Sequence, residues 1–348
     1  MKMTELIKID QNSRVPKYQQ IIDSIIDNIT AGNLKIDQKI PSINKFSEEF
    51  YLSRDTVEKA YSILSNRDII IPIRGKGFYI SRTKLINKLN ILFLINKLSW
   101  YKMETYYSFV NTLGPSVYVS LHIYHSDEFL FLNLLEKHKR SYDYYVIMPH
   151  FKTQDSQHTN TTKAVNLALR KIPKSRLVVV GNKNIPFEDN YITVYEEYEK
   201  DIFNALKKGL KKIRKYQKII LLYPEKATYP YPKKIKVGFI RFCREHNLDF
   251  EIISNVPDHM VLLNGDLFIT IEEDDLISLM NQIKNEKLTL GKDIGIISYN
   301  ETPLKALLGI TTISTDFKIM GETTAQMIIS NKKGKVKMPF RFINRNSM

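Results

Sequence analysis

Residues 52–61, LSRDTVEKAY, open on polar and charged positions and then set Val57, Ala60, Tyr61 and Leu64 at helical spacing. Short hydroxyls and an arginine at the open end of a helix can reach phosphate oxygens and base edges while the rear half packs on a core. Ser53, Arg54 and Thr56 suit that division, with Asn44 and Lys45 close enough in sequence to grip a nucleic-acid backbone. Taken alone, the stretch reads equally well as an ordinary N-cap followed by a salt-bridged helix. A second basic group shifts that balance. Arg74 and Lys76 flank a glycine in RGKG, where a narrow cationic tip can enter a minor groove and the glycines permit close approach.

A different chemistry is spelled by residues at the ends of apolar runs. Trp100 and Tyr101 follow the first run, His150 and Phe151 the third, Asn182 the fourth, Glu273 and Asp274 the seventh and Asn300 the eighth, with Tyr229 near the run at 219–223. Planar polar groups beside aromatic rings are how clefts hold sugars, the rings stacking on C–H faces. Singly, each of these residues is better explained as structural or merely exposed. The lone tryptophan, in a polar stretch directly after the first run, is the strongest of them.

The elements that must carry these groups fall into two sections. Pro16 opens PKYQQIIDSIIDNITAG, an apolar-striped helix stopped by Gly32; PSINKFSEEF predicts a short helix capped by Ser42, and Ser53 caps the next. RDIIIPIRGKGFYIS alternates and turns at its glycines, so the order is two short helices, a tight turn and a hairpin, a winged helix-turn-helix over residues 1–80. The polar, basic stretch 81–90 is the expected linker. From 91 to 348 the runs 91–95, 117–121, 144–148, 177–181, 219–223, 250–254, 266–271 and 294–299 alternate with amphipathic helices such as 202–213 and 233–246. Continuous apolar runs between helices predict buried parallel strands, a doubly wound α/β class. Two sets of about four strands imply two lobes, with ligands outside the carboxyl ends of the strands.

Composition narrows the function. At 348 residues, 43% hydrophobic and 26% charged, the chain is that of a globular protein of two or three domains. A formal net charge of +15 invites a nucleic-acid partner, yet residues 1–80 hold twelve Lys/Arg against ten Asp/Glu. The excess gathers at Lys207, Lys208, Lys211, Lys212, Arg214, Lys215 and Lys218, a spacing that suits a solvated helix face. A single cysteine, Cys243, fits a reducing compartment and a buried apolar role. With no apolar leader at the start and no run near the roughly 18 residues of a membrane span, a cytoplasmic protein without membrane partners is expected. GxxxxGK[ST], GxGxxG after a strand and HExxH are all missing, and His122 and His125 lack further ligands nearby, so neither enzyme, cofactor nor metal is expected.

From Pro16 to Ile80 the order PKYQQIIDSIIDNITAGNL, IPSINKFSEEF, LSRDTVEKAYSIL and GKGFYI resembles the DNA-binding domain of GntR-type bacterial transcription regulators. The resemblance implies a dimer on palindromic operators, with DNA contacts from Ser42, Ser53, Arg54 and Thr56 and from the wing at Lys76 and Gly77. Where that family usually carries arginine, PSIN has Asn44, and asparagine pairs with adenine where arginine prefers guanine. The ending DIGIISYNETPLKALLGITTISTDFKIMGETTAQMII with PFRFINRNSM is similar to the end of LacI-type regulators and of periplasmic sugar-binding proteins. That resemblance implies a ligand-binding position at Asn300, where the family has aspartate; a hinge crossing at Asp316; and a final helix beginning near Met320-Gly321. The loss of charge at Asn300 suits a neutral, hydroxyl-bearing ligand. The combined expectation is a regulator that binds double-stranded operator DNA as a homodimer and senses a monosaccharide or its derivative by allostery. The alternatives are a reader fused to an aminotransferase-like domain and a ligand-binding protein without DNA binding.

Overall fold

Pro16 starts α1 (Lys17–Thr30), whose stripe buries Ile21, Ile22 and Ile25. After the short β1 (Lys39–Ile40) come α2 (Ile43–Phe50) and α3 (Arg54–Asn66), then the hairpin β2 (Ile70–Ile73) and β3 (Gly77–Ile80). The three strands form one antiparallel sheet in the order β1-β3-β2. Phe46, Val57, Ala60, Tyr61 and Leu64 close on the α1 stripe and on Ile70 and Ile80 as one core. This is the expected winged helix-turn-helix. Tyr61 is the hinge pin of that core: its ring meets Phe46 and Phe78 edge-on and its hydroxyl donates to the Pro41 carbonyl at 2.9 Å.

The chain, a computed structural model, is described for residues 6–13, 15–81, 89–115, 117–138, 142–183, 191–225 and 227–348. It divides into two units, one of Met1–Ile91 with Pro115–Tyr118 and Lys137–Asp143, the other of the remainder. Of the expected linker, residues 82–88 lie outside the described residues, and Leu89 and Asn90 already belong to the next strand.

That strand is β4 (Leu89–Ile95), followed by α4 (Trp100–Leu113), β5 (Val117–Ile123), α5 (Glu128–Lys137) and β6 (Tyr144–Ile147). A small hairpin, β7 (Phe151–Lys152) and β8 (His158–Thr159), precedes α6 (Lys163–Arg170), β9 (Leu177–Gly181) and β10 (Ile192–Tyr195). Next are α7 (Tyr198–Ile213), β11 (Lys218–Leu222), α8 (Lys233–Glu245), β12 (Asp249–Ile253), β13 (Asp266–Thr270), α9 (Glu273–Asn285) and β14 (Gly295–Tyr299). The chain ends with α10 (Pro303–Leu307), β15 (Thr311–Thr315), α11 (Phe317–Ile329), β16 (Gly334–Lys337) and β17 (Phe340–Ile343).

Two six-stranded sheets result, ordered β16-β10-β9-β6-β4-β5 and β12-β11-β13-β14-β15-β17. The β15–β17 pair is antiparallel, and the pairs around β9–β10 and β11–β14 are parallel. All eight expected strands are present, but each sheet has six strands rather than about four. The additions β10, β15, β16 and β17 are short and rich in threonine or charge, so they do not read as apolar runs.

Both sheets bury strand residues on two faces, as Val178, Val179 and Val180 in one and Leu267, Phe268 and Ile269 in the other illustrate. Lys207, Lys208 and Lys211 lie exposed on α7, opposite the buried Ile202, Leu206 and Ile213. Cys243 is buried in the core beneath α8, and burial pushes its thiol up to about 12.

The chain passes between the two lobes three times, after β10, β15 and β16. These passages are tied together: the Met338 amide donates to Tyr195 O at 2.8 Å and the Asp316 amide to Pro339 O at 3.1 Å. Helix α11, after the second passage, packs along α4 in the first lobe. Gly321 makes that approach possible, since a Cβ there would stand 2.2 Å from the Thr105 carbonyl oxygen.

Candidate functional site

In the winged helix, Ser42 and Ser53 are N-caps as expected, their Oγ atoms accepting from the Lys45 and Thr56 amides at 3.3 Å. The Ser53 and Thr56 hydroxyls also pair at 2.7 Å. These hydroxyls therefore shape the helix ends, and the groups left pointing outward are Asn44, Lys45 and Arg54, all exposed. Asp55 is exposed in the first turn of α3, where a carboxylate complements the helix dipole. Arg74 and Lys76 are exposed at the hairpin tip, Arg74 before Gly75 at φ 76° and Lys76 between it and Gly77 at φ 100°. Sequence reasoning missed Tyr51, which is 92% exposed in a left-handed turn between α2 and α3.

In the second unit, the ends of β4, β6, β10, β11 and β14 converge with the start of α11 on a cavity of about 50 Å³. Asn96, Lys97, Tyr101, Lys102, His150, Glu196, Tyr198, Tyr229, Tyr231, Tyr299, Asn300 and Phe317 are in its wall. A neighbouring cavity of about 200 Å³ shares Glu196 and Tyr198 and adds Asn182, Lys183, Glu197 and Lys200. Of the ten residues expected from the sequence, Tyr101, His150, Tyr229 and Asn300 reach the first cavity and Asn182 the second.

The other five do not line either cavity. Trp100 is the first residue of α4 rather than part of a loop, and its side chain is turned out, 55% exposed. Phe151 is buried against Tyr124 and Phe131, because β7 folds back onto α5. Glu273 and Asp274 sit in the first turn of α9, with Glu273 3.9 Å from Lys305. Asp316 is at the hinge, capping α11 through the Ile319 amide at 3.1 Å and paired with Arg341 at 2.8 Å.

Residues missed by sequence reasoning dominate the wall. Lys102, 1% exposed, donates to Asn96 Oδ1, and Asn96 in turn donates to Ser126 at 2.8 Å. Burial, reinforced by Lys97, holds the Lys102 ammonium well below the ordinary lysine value. Glu196 accepts from Thr315 Oγ1 at 2.5 Å, and burial raises its carboxyl to about 7. His150 and His158 share a hydrogen bond at 2.9 Å, and burial keeps both well below the usual histidine range, His158 at about 4. Tyr101 packs on Phe317 with ring centroids 4.8 Å apart, and Lys97 lies over the Tyr229 and Tyr231 rings at 5.2 and 5.0 Å. Asn300 is left-handed, φ 63°, and buried Lys305 pins it by donating to the Tyr299 and Asn300 carbonyls at 3.0 Å each. Planar acceptors, cationic donors and flanking rings are the parts of a site for a small polyhydroxylated molecule.

Comparison with known proteins agrees with both halves. Residues 17–80 match the bacterial regulatory proteins of the gntR family, and residues 212–348 match the periplasmic binding protein-like domain. The chain thus carries a GntR-like domain followed by a periplasmic-binding-protein-like domain. The GntR-type part is 33% identical over 79 residues to the HTH-type transcriptional repressor NagR of Bacillus subtilis, covering 23% of this chain and 32% of that repressor. The periplasmic-binding-protein-like part shares its fold with a LacI family transcriptional regulator from Lactobacillus casei with bound glucose, at TM-score 0.59 and 12% identity, covering 74% of this chain and 99% of that one. It shares it also with the lac repressor dimer bound to operator and an anti-inducer, at TM-score 0.57 and 15% identity, covering 75% and 94%. An aminotransferase-like second domain is thereby set aside. Among the described residues no cluster of His, Cys, Asp and Glu could hold a metal ion, and no helix is long and apolar enough to cross a membrane.

Proposed function

We propose that the protein is a sugar-responsive transcription regulator that reads operator DNA as a homodimer in the cytoplasm, without catalysis. The observation that carries the DNA reading is the outward-facing set at the starts of α2 and α3 and on the wing, Asn44, Lys45, Arg54, Arg74 and Lys76, on a domain matched to GntR-type readers. Arg54 would meet base edges, while Lys45 and the wing would hold phosphates. Ser42, Ser53 and Thr56 would act mainly by presenting the helix ends, and Gly77 by letting the wing approach the groove. Dimer readers meet two half-sites, so anything that changes their separation changes operator affinity.

The effector reading rests on the cleft. A free volume of about 50 Å³ admits only a few waters, so a sugar enters the first cavity when the lobes part and is enclosed when they close. Glu196 lies on the first passage between lobes and is bonded to Thr315 on the second, so a ligand hydroxyl bound to Glu196 acts where closure is set. Fluorescence anisotropy on duplexes selected by the full chain from a random pool tests the DNA half. Arg54→Ala should weaken binding by about 1–3 kcal/mol and relax base preference at one position per half-site. Unchanged affinity and unchanged sequence preference would refute the α3 assignment.

A further inference from the structure

Cations outnumber anions in the wall of the smaller cavity. Lys97 and Lys102 both line it, and Glu196 is the single carboxylate among its lining residues. Lys102 is 1% exposed and hydrogen-bonds to Asn96, a neutral partner. Lys97 rests 3.4 Å from the Tyr231 hydroxyl. Neither lysine is ion-paired with a carboxylate among the described residues. Tyr299, 4% exposed, turns a hydroxyl into the same wall with no hydrogen-bond partner among the described residues. Lys102 also stands in the first turn of α4, whose N-cap Ser99 gives no side-chain hydrogen bond to the helix amides. A buried ammonium whose hydrogen-bond partner is neutral is costly, and so is an orphaned buried hydroxyl. A ligand that brings one negative charge and several hydroxyls satisfies both.

Resting on the proposal that the cleft binds a sugar, we infer that the effector is an acidic sugar, a hydroxylated ring bearing one carboxylate or phosphate. The anionic group sits against Lys97, Lys102 and the first turn of α4. The hydroxyls meet Glu196, Tyr299 and Asn300, and the Tyr101–Phe317 pair flanks the ring. This departs from the neutral ligand that Asn300 suggests by itself, because with asparagine in place of aspartate Glu196 is the one carboxylate in the wall set against two lysines. Protons report the difference. An incoming anion raises the pKa of both Lys102 and Glu196, so binding takes up protons near pH 8. A neutral sugar that donates hydroxyls to Glu196 favours its carboxylate and releases protons.

Calorimetry on the full chain tests this with glucose, galactose and ribose, with glucuronate and galacturonate, with glucose 6-phosphate, galactose 6-phosphate and ribose 5-phosphate, and with inorganic phosphate alone. One acidic sugar should bind about tenfold or more tightly than its neutral parent, with buffer-dependent heats showing proton uptake. The arm that responds, uronate or phosphate, identifies the anion. Lys102→Met should abolish the preference for the acid and Lys102→Arg should retain it. Lys97→Met should reduce the preference severalfold and keeps the test open if Lys102→Met does not fold. A neutral sugar bound as tightly as its acid, or more tightly, overturns the acidic class and leaves the sugar-binding cleft standing. Failure of every sugar, neutral and acidic, overturns both.

Discussion

Gly321→Ala isolates the contact that carries α11 back onto α4. The added Cβ would lie 2.2 Å from the Thr105 carbonyl oxygen and 2.9 Å from the Phe109 nitrogen, both backbone atoms that no rotamer change can move. The helices must therefore separate, and overpacking of this kind costs about 1–3 kcal/mol. Replacing glycine in a helix returns roughly 1 kcal/mol, so with backbone on both sides of the clash putting the cost at the top of that range the net loss should be about 2 kcal/mol. For a unit of this size that lowers the melting temperature of the second domain by about 4–8 °C. Separation also moves Phe317, on α11, away from Tyr101, on α4, which now sit 4.8 Å apart beside the cleft, so effector affinity should fall severalfold. Scanning calorimetry of the full chain reads the first effect and titration of an effector the second. Gln326→Ala, exposed on the same helix, serves as the near-neutral control. A Gly321→Ala protein that melts with the wild type and binds effector normally would refute the close-packing argument.

Two further outcomes follow from the cleft. Glu196, raised by burial to about 7, contributes stability in its protonated form that is complete below its unfolded value and lost as pH rises through about 7. Glu196→Gln should therefore stabilise the second domain at pH 8 by up to about 3 kcal/mol and have little effect at pH 4, read from melting curves at the two pH values; an equal shift at both would contradict the assignment. Trp100→Ala should leave effector affinity unchanged because the side chain is turned outward, whereas Tyr231→Ala removes a ring from the wall and a partner of Lys97. Titration of both variants checks this, and a loss confined to Trp100→Ala would mean that the site is misplaced.

The reader was nearly complete in the sequence because each of its parts is local. Ser42 and Ser53 cap the helices that follow them, the Ile21–Ile25 stripe lies within one helix, and RGKG is a turn between adjacent strands. Eight strands were legible for the same reason, as their apolar runs are continuous, although β5 and β12 lie at sheet edges and are only partly buried rather than covered on both faces. The cleft was legible only in part. Asn300 and Tyr101 stand just past strand ends, where a parallel sheet puts its ligand-facing loops. Lys97 and Lys102 carry no local mark of burial, and Glu196 and Tyr198 stand in a charged stretch, EEYEK, with nothing to separate the buried acid from its neighbours. Trp100 failed for the opposite reason: its rarity drew attention, but helical phase, not residue type, decides which side chain of a first turn faces the cleft.

What the sequence by itself determined is the order of elements, the winged reader and the two-sheet architecture, since caps, turns and hydrophobic period act over a few residues. What only the tertiary structure decided is which groups share the cleft and in what charge state. Lys102, Glu196 and Tyr299 are separated by up to about 200 residues of chain and meet because three passages between lobes bring strand ends together. Burial there, which no local pattern encodes, lowers the pKa of a lysine, raises that of a glutamate and leaves a tyrosine hydroxyl without a partner among the described residues.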